Sequence, residues 1–261
     1  MSDWPILYQY GLLGIVGVVV AFINSLSGGG SMLSLPLLMF LGLSPVEANG
    51  TNRLGIWAGS FGSVLGFRKQ QVVTQAMVWN VGWPGLLGSL AGSYLGVFTP
   101  APVFKLILAI VIVFIVWETV RGSRRSENEI LSDVKPYLLN GIIPFFVYIG
   151  IGFYGGFIQA GSGLIMIYAF SRLSNLNLIH INELKVANTF IFITVSLSVY
   201  LFFGKVKLGF AIALAMGNLL GGYLGSGFQI QKGEGFVRGF LLVTGLVFAG
   251  KLAFDAIFAF F

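Results

Sequence analysis

Two short glycine- and serine-rich sequences interrupt an otherwise apolar chain at corresponding places in its two halves. The first covers 24–31, Asn-Ser-Leu-Ser-Gly-Gly-Gly-Ser, and the second covers 159–163, Gln-Ala-Gly-Ser-Gly. Each precedes a short apolar segment, at 30–43 and at 163–173. A helix of about 14 residues reaches about 21 Å, against a hydrocarbon core of about 30 Å, so neither segment crosses a bilayer alone. Interrupted segments at matching positions of two halves indicate the binding site of a transporter.

The composition predicts an all-α polytopic membrane protein. Of the 261 residues, 56% are hydrophobic and 9% are charged, whereas soluble domains carry about 25% charged residues. The apolar runs are too long and too continuous for the alternating strands of a β-barrel. We therefore expect a lipid bilayer around the chain and no nucleic-acid partner. Ten apolar segments are predicted, at 6–26, 30–43, 53–67, 74–97, 102–120, 137–159, 163–173, 184–203, 207–227 and 236–259.

The two halves resemble one another. Four matches occur in the same order in the two halves: Phe22-Ile-Asn24 with Phe157-Ile-Gln159, Ser27-Gly28 with Ser162-Gly163, Thr51 with Thr189, and Gly88–Gly96 with Gly217–Gly225. We expect a first transmembrane repeat at 1–120, a linker at 121–136 and a second repeat at 137–261. Each repeat would hold a broken or re-entrant helix pair and three spanning helices.

An odd number of crossings in each half would give the two repeats opposite orientations, which makes an inverted-topology repeat. A cytoplasmic 121–136 linker places most of the 15 Lys and Arg residues inside, as the positive-inside rule favours. Both termini would then be periplasmic.

The glycine-rich breaks have the chemistry of an anion site. At the start of a helix the backbone N–H groups lack intrahelical acceptors and the helix dipole leaves partial positive charge. Glycines allow an anion to approach these amides, and serine hydroxyls add donors. The predicted site residues in the breaks are Ser27, Gly28, Gly29, Gly30, Ser31, Gly161, Ser162 and Gly163, with the Asn24 and Gln159 side chains as further donors. The alternative is tight helix packing through glycine, which we expect for Gly88/Gly92 and Gly217/Gly221.

Polar residues at the starts of two later segments complete the predicted site: Asn49, Thr51, Asn52 and Arg53 in the first half, and Lys185 and Asn188 in the second. Thr51 or Asn49 would cap the helix of segment 53–67. Arg53 would neutralise an anionic substrate or snorkel to the outer interface. Lys185 would balance the charge of an anion or anchor the segment at the interface.

The chain offers no set of residues for catalysis. It contains no cysteine and a single histidine, and Gly28-Gly-Gly-Ser31 lacks the Gly-Lys-Ser/Thr ending of a phosphate-binding loop. No acidic residue lies clearly in mid-membrane: Glu47 and Glu183 are expected in loops. We therefore expect no enzyme, no metal site and no cofactor. A passive anion channel remains an alternative to a carrier, and a membrane scaffold is a more remote one.

Three sequences resemble the TauE/SafE family of sulfite and organosulfonate exporters: Ser27-Gly-Gly-Gly-Ser-Met-Leu-Ser-Leu-Pro36, Ala48-Asn-Gly-Thr-Asn-Arg53, and Tyr154-Gly-Gly-Phe-Ile-Gln-Ala-Gly-Ser-Gly163. The resemblance covers nearly the whole chain. It implies a permease of the bacterial inner membrane for small sulfur-containing anions such as sulfite, sulfoacetate, other sulfonates or thiosulfate, in most cases an exporter. The second half departs from the first: it has no proline matching Pro36, and Asn188 stands where Gly50 stands.

Together these features predict a secondary transporter that binds a small anion at the midplane, between two broken helices, and alternates access by moving one set of helices against the other. A permease for a non-sulfur anion is the alternative in substrate. The oligomeric state stays open, a homodimer included.

Overall fold

The computed structural model describes residues 5–68, 73–104, 106–107 and 141–258. Within these ranges the secondary structure is helical, which confirms the predicted α-helical class. Eight helices are described: Ile6–Leu26 (α1), Ser31–Phe40 (α2), Pro45–Phe67 (α3), Gln75–Phe98 (α4), Ile142–Phe157 (α5), Ser162–Leu173 (α6), Leu178–Phe202 (α7) and Leu208–Phe258 (α8). The predicted linker at 121–136, and most of the predicted segment 102–120, lie outside the described residues.

Among the described residues, three helices are long and apolar enough to cross a membrane: α1, α7 and the Leu208–Lys232 part of α8. Their outer surfaces carry large apolar side chains with much of their area exposed, among them Ile15, Met216 and Tyr223. Apolar exposure on this scale is typical of a surface that contacts lipid. The chain is therefore a membrane protein.

The two short helices, α2 and α6, each bury one side in the protein. They have 10 and 12 residues, or about 15 and 18 Å of helix, which is too short for a crossing, as the sequence predicts. Leu35 and Leu38 of α2 lie in one hydrophobic cluster, and Met166 and Phe170 of α6 lie in a second. Helix ends at membrane depth are tolerated only in such protein-lined surroundings.

The last two predicted segments, 207–227 and 236–259, are parts of one continuous helix, α8. The prediction of two separate segments is therefore wrong. The sequence between them, Phe228-Gln-Ile-Gln-Lys-Gly-Glu-Gly235, lowers the local hydropathy but contains no proline. Its Gln, Lys and Glu residues are good helix formers, so a polar interval here does not end the helix.

Helix α3 begins eight residues before the predicted segment at 53. Its N-cap is Ser44, whose Oγ accepts a hydrogen bond from the Glu47 N–H, while the Glu47 carboxylate accepts one from the Ser44 N–H. This capping box with Pro45 in the first turn is a strong helix start. The predicted caps at Asn49 and Thr51 are therefore wrong, because both residues lie inside α3. Glu47 and Glu183 lie in helices and not in loops.

Glycines set the closest helix contacts. Helices α1 and α3 pack along α8, and α5 and α7 pack along α4. A Cβ at Gly217 or Gly221 would overlap the backbone of α1, and one at Gly88 or Gly92 would overlap the backbone of α5. This confirms the packing role predicted for both glycine pairs.

Candidate functional site

The first break lies between α1 and α2. Gly28 has φ +81°, a left-handed conformation that favours glycine. The Asn24 side-chain oxygen accepts a hydrogen bond of 2.8 Å from the Gly30 N–H, and the Ser27 hydroxyl donates to the Ile23 carbonyl of α1. Asn24 therefore orders the turn that leads into α2, while the Ser27 hydroxyl is occupied by the end of α1.

The second break lies between α5 and α6. Gln159 and Gly161 have φ of 67° and 72°, so the chain reverses within a few residues. The Tyr154 hydroxyl of α5 donates to the Ala160 carbonyl and ties the break to the preceding helix. A non-glycine residue in the left-handed region is uncommon, and such residues occur at sites that the surrounding structure holds in place.

The two breaks touch each other. A Cβ at Gly163 would lie 2.5 Å from the Gly28 Cα, and a Cβ at Gly28 would overlap the Gly163 backbone. Only glycine at both positions permits this approach. The first turns of α2 and α6 therefore lie side by side, and the N–H groups of Ser31 and Gly163 have no hydrogen-bond acceptor among the described residues.

A cavity opens beside this contact, between α1, α2, α3, α6, α7 and α8. A smaller cavity shares Gln159, Ser162 and Thr189 with it. Seven of the predicted site residues line the larger cavity: Asn24, Gly28, Ser31, Gln159, Ser162, Gly163 and Lys185. No Asp or Glu of the described chain is among its lining residues.

Lys185 is the basic residue of the cavity wall. Its side chain is 2% exposed. Its ammonium donates to the Asn24 and Ser25 carbonyls at 2.9 and 3.0 Å and to the Asn182 side-chain oxygen at 2.7 Å. The two carbonyls belong to the last turn of α1, where a cation also offsets the negative end of the helix dipole. Lys185 is thus buried in protein and does not anchor α7 at the membrane interface.

Arg53 occupies the corresponding place at the end of α5, outside the cavity. Its guanidinium is fully buried and donates to the carbonyls of Gly155, Gly156 and Phe157, and it lies 4.3 Å from the Tyr200 ring centroid. Snorkelling to the outer interface is therefore excluded. It also donates, at 3.5 Å, to the side-chain oxygen of Gln159, which lines the cavity. Direct contact of Arg53 with a substrate stays a prediction.

The remaining predicted residues lie near the cavity without lining it. They are Ser27, Gly29, Gly30 and Gly161 in the breaks, and Asn49, Thr51, Asn52 and Asn188 in α3 and α7. Asn49 donates to the Phe157 carbonyl and the Tyr200 hydroxyl, and Thr51 accepts from the Lys207 N–H. Both therefore hold helices together. Asn52 is fully buried with neither side-chain polar atom paired.

Several polar lining residues were not predicted from the sequence, namely Ser25, Ser60, Ser63, Thr189 and Asn218. Asn218 is fully buried, and its side-chain oxygen has no partner in the described chain. Its signal was available: it is a lone amide within the apolar segment 207–227, and polar residues inside membrane helices often mark a site. The serines of α3 gave no comparable signal, because serine is also common where helices pack closely.

The family model for the sulfite exporter TauE/SafE matches residues 13–252. A probable membrane transporter protein of Haemophilus influenzae is 29% identical over 251 residues, covering 94% of each chain. The probable membrane transporter protein YfcA of Escherichia coli K12 is 28% identical and covers 94% of this chain and 90% of its own. The probable membrane transporter protein ORF9 of a Sinorhizobium species is 24% identical, covering 93% of this chain and 92% of its own. No solved structure matches significantly.

The family match covers almost the whole length of the chain, and both glycine-rich breaks that form the cavity lie within it. Family and fold agree on a helical membrane protein of the transporter class. The chain is therefore a member of the sulfite exporter TauE/SafE family.

Proposed function

We propose that this protein is a secondary transporter that exports small sulfur-containing anions, such as sulfite, sulfoacetate or other organosulfonates, across the bacterial inner membrane. The anion binds in the cavity where the first turns of α2 and α6 meet. The observation that carries this proposal is the convergence of two helix N-termini and one buried ammonium on a cavity that has no acidic lining residue among those described.

The chemistry of the lining suits an oxyanion. Each helix start contributes about half a positive charge, and Ser31 and Gly163 offer unpaired N–H groups. The Ser31 and Ser162 hydroxyls add donors in the cavity wall, and Lys185 adds a full positive charge. A sulfonate or sulfite group presents several oxygens in different directions, so it can accept from both helices at once.

We further propose an inverted repeat, with the 121–136 linker cytoplasmic. The pattern of contacts supports it: the first helix of each half packs along a later helix of the other half, α1 on α8 and α5 on α4. The two helices that precede the breaks also end in the same way: at the end of each, a basic side chain from the opposite half donates to backbone carbonyls. Alternating access would then come from movement of one set of helices against the other.

The sulfur specificity rests on the family, whose model carries the description sulfite exporter. Ligand-dependent thermal stability of the purified protein tests it, with sulfite, thiosulfate, sulfoacetate, taurine, acetate and phosphate as probes. A ligand at about 100 times its dissociation constant should stabilise the protein by about 2.7 kcal/mol. We expect a rise in melting temperature with one or two sulfur oxyanions and none with acetate.

Ser162→Asp tests the location of the site. A carboxylate at the first position of α6 is compatible with the helix dipole, but it occupies the space and cancels the charge that an anion would use. We expect a folded protein that no longer responds to any probe. Ser171→Asp is the matched control on the same helix, because Ser171 is exposed and outside the cavity. A full anion response in Ser162→Asp would contradict the proposed site, and a flat response of the wild type to all six probes would contradict the sulfur-anion function.

A further inference from the structure

Two basic side chains are buried at the broken helices, and they differ in kind. Arg53 binds the carbonyls at the end of α5 and does not itself line the cavity, whereas Lys185 is part of the cavity wall. A guanidinium stays charged in proteins, whereas a buried ammonium can lose its proton. The group at the binding cavity is thus the one that can change its charge.

The hydrogen-bond acceptors of the Lys185 ammonium in the described part of the chain are all neutral oxygens. Helices α1, α2, α4 and α5 contain no Asp, Glu, Lys, Arg or His. Among the charged side chains that the structure describes on other helices, Glu47 of α3 pairs with Lys207 at 3.0 Å, Arg172 of α6 lies over the Tyr168 ring, and Lys232 of α8 lies over the Phe228 ring. On α7 itself, His180 and Glu183 are not among the three acceptors of the Lys185 ammonium. A protonated Lys185 therefore has an anion in the cavity as its natural counter-charge.

Protonation also changes the contact between the halves. The three N–H bonds of the ammonium match three acceptors, two of which are carbonyls at the end of α1. A neutral amine has only two N–H bonds, so loss of the proton leaves one acceptor unpaired and weakens the junction of α7 with α1. The proton on Lys185 is therefore tied to both the anion and the packing of the helices around it.

From this geometry, and resting on the proposed transport function, we infer that Lys185 carries one proton across the membrane together with each anion. With the anion bound, Nζ is an ammonium. When the anion leaves, one N–H bond breaks, its electron pair stays on the nitrogen, and the proton passes to water on the exit side. The neutral amine takes a proton from water on the entry side together with the next anion. Each cycle thus moves one anion and one proton in the same direction.

The test measures anion and proton movement together in proteoliposomes that contain a pH-sensitive dye and whose membrane potential is clamped. Thiosulfate and sulfoacetate are the probes, because neither titrates near neutral pH, so any proton that moves is carried by the protein. We expect one proton per anion in the wild type. Lys185→Arg, which fixes the charge, should bind the probes but move no protons, and Lys185→Met should lose binding. Lys207→Arg is the matched control and should keep the wild-type ratio, because Lys207 is exposed and distant from the cavity.

Anion flux without protons in the wild type would overturn the inference and leave the transport function standing. Proton movement that persists in Lys185→Arg would overturn the assignment to Lys185. Absence of any anion flux would instead contradict the proposed function. The wild-type ratio decides whether a proton moves even where a variant does not fold.

Discussion

Replacing Gly163 with alanine tests the direct contact between the two breaks. The new Cβ would lie 2.5 Å from the Gly28 Cα, a distance that side chains do not reach without movement of the backbone. Overpacking of this kind costs about 1–3 kcal/mol. Gly163 lies inside α6 and has no left-handed φ, so without the contact alanine would stabilise the helix by up to about 1 kcal/mol. A loss of stability in Gly163→Ala therefore indicates the contact, and a gain of stability indicates its absence.

Substitutions at Gly28 and Gly42 distinguish destabilisation by steric overlap from destabilisation by backbone strain. Gly28 has φ +81° and Gly42 has φ +98°, but a Cβ at Gly42 would meet nothing within 4 Å. The left-handed conformation should therefore be the only source of destabilisation in Gly42→Ala, and it should lower the free energy of unfolding by about 1–2 kcal/mol. In Gly28→Ala the overlap with Gly163 should lower the free energy of unfolding by about 1–3 kcal/mol more.

The assay is thermal unfolding of the detergent-purified variants, with and without the anion that most raises the wild-type melting temperature. At about 2–4 °C for each kcal/mol, Gly163→Ala should melt a few degrees below the wild type, and Gly28→Ala should melt below Gly42→Ala. The anion response should weaken in Gly28→Ala and Gly163→Ala and remain full in Gly42→Ala. A Gly163→Ala protein as stable and as responsive as the wild type would refute the close approach of the breaks.

Two further predictions concern the charged groups outside the cavity. Arg53→Met should lower the melting temperature strongly, since each buried carbonyl left without a donor at the end of α5 costs about 1–3 kcal/mol, and Arg53→Lys should recover part of the loss; a variant as stable as the wild type would contradict the capping role. At the exposed start of α3, hydrogen bonds from Ser44 and Lys207 hold the pKa of Glu47 below its ordinary value of 4.5. The stabilising contribution of Glu47 is therefore present above that pH and lost as the pH falls through the lowered pKa. The difference in stability between the wild type and Glu47→Gln, less than about 1 kcal/mol for an exposed pair, should vanish in acid. A difference that persists in acid would refute the assignment.

The broken helices could be predicted from the sequence because their signals are local. A glycine-rich sequence beside an apolar segment of insufficient length leaves few structures open to a chain in a membrane. Glycine pairs one turn apart likewise indicate where helices approach closely. The start of α3 also had a local signal, Ser44-Pro-Val-Glu47, but hydropathy alone does not detect a capping box, and the predicted start came too late.

The partners of the buried basic residues could not be predicted. Arg53 binds carbonyls more than 100 positions away in the sequence, and the acceptors of Lys185 at the end of α1 are still more distant. Such contacts depend on how two bundles of helices pack, and no local pattern encodes them. The same holds for the meeting of Gly28 with Gly163, where each glycine alone is equally compatible with a turn or with helix packing.

We propose that a small oxyanion binds in the cavity beside the two helix starts. Because the chain contains no cysteine, an introduced cysteine is its single thiol, and protection of that thiol by the anion tests the proposal directly. Ser60 lines the cavity and is 7% exposed. The Ser60→Cys variant is treated with a small thiol reagent in the presence and absence of thiosulfate or sulfoacetate, and the rate of modification is measured. A cysteine at the exposed Ser171 serves as the control. We expect the anion to slow modification at position 60 and to leave the rate at position 171 unchanged. Equal rates at position 60 with and without an anion that stabilises the protein would contradict the proposal.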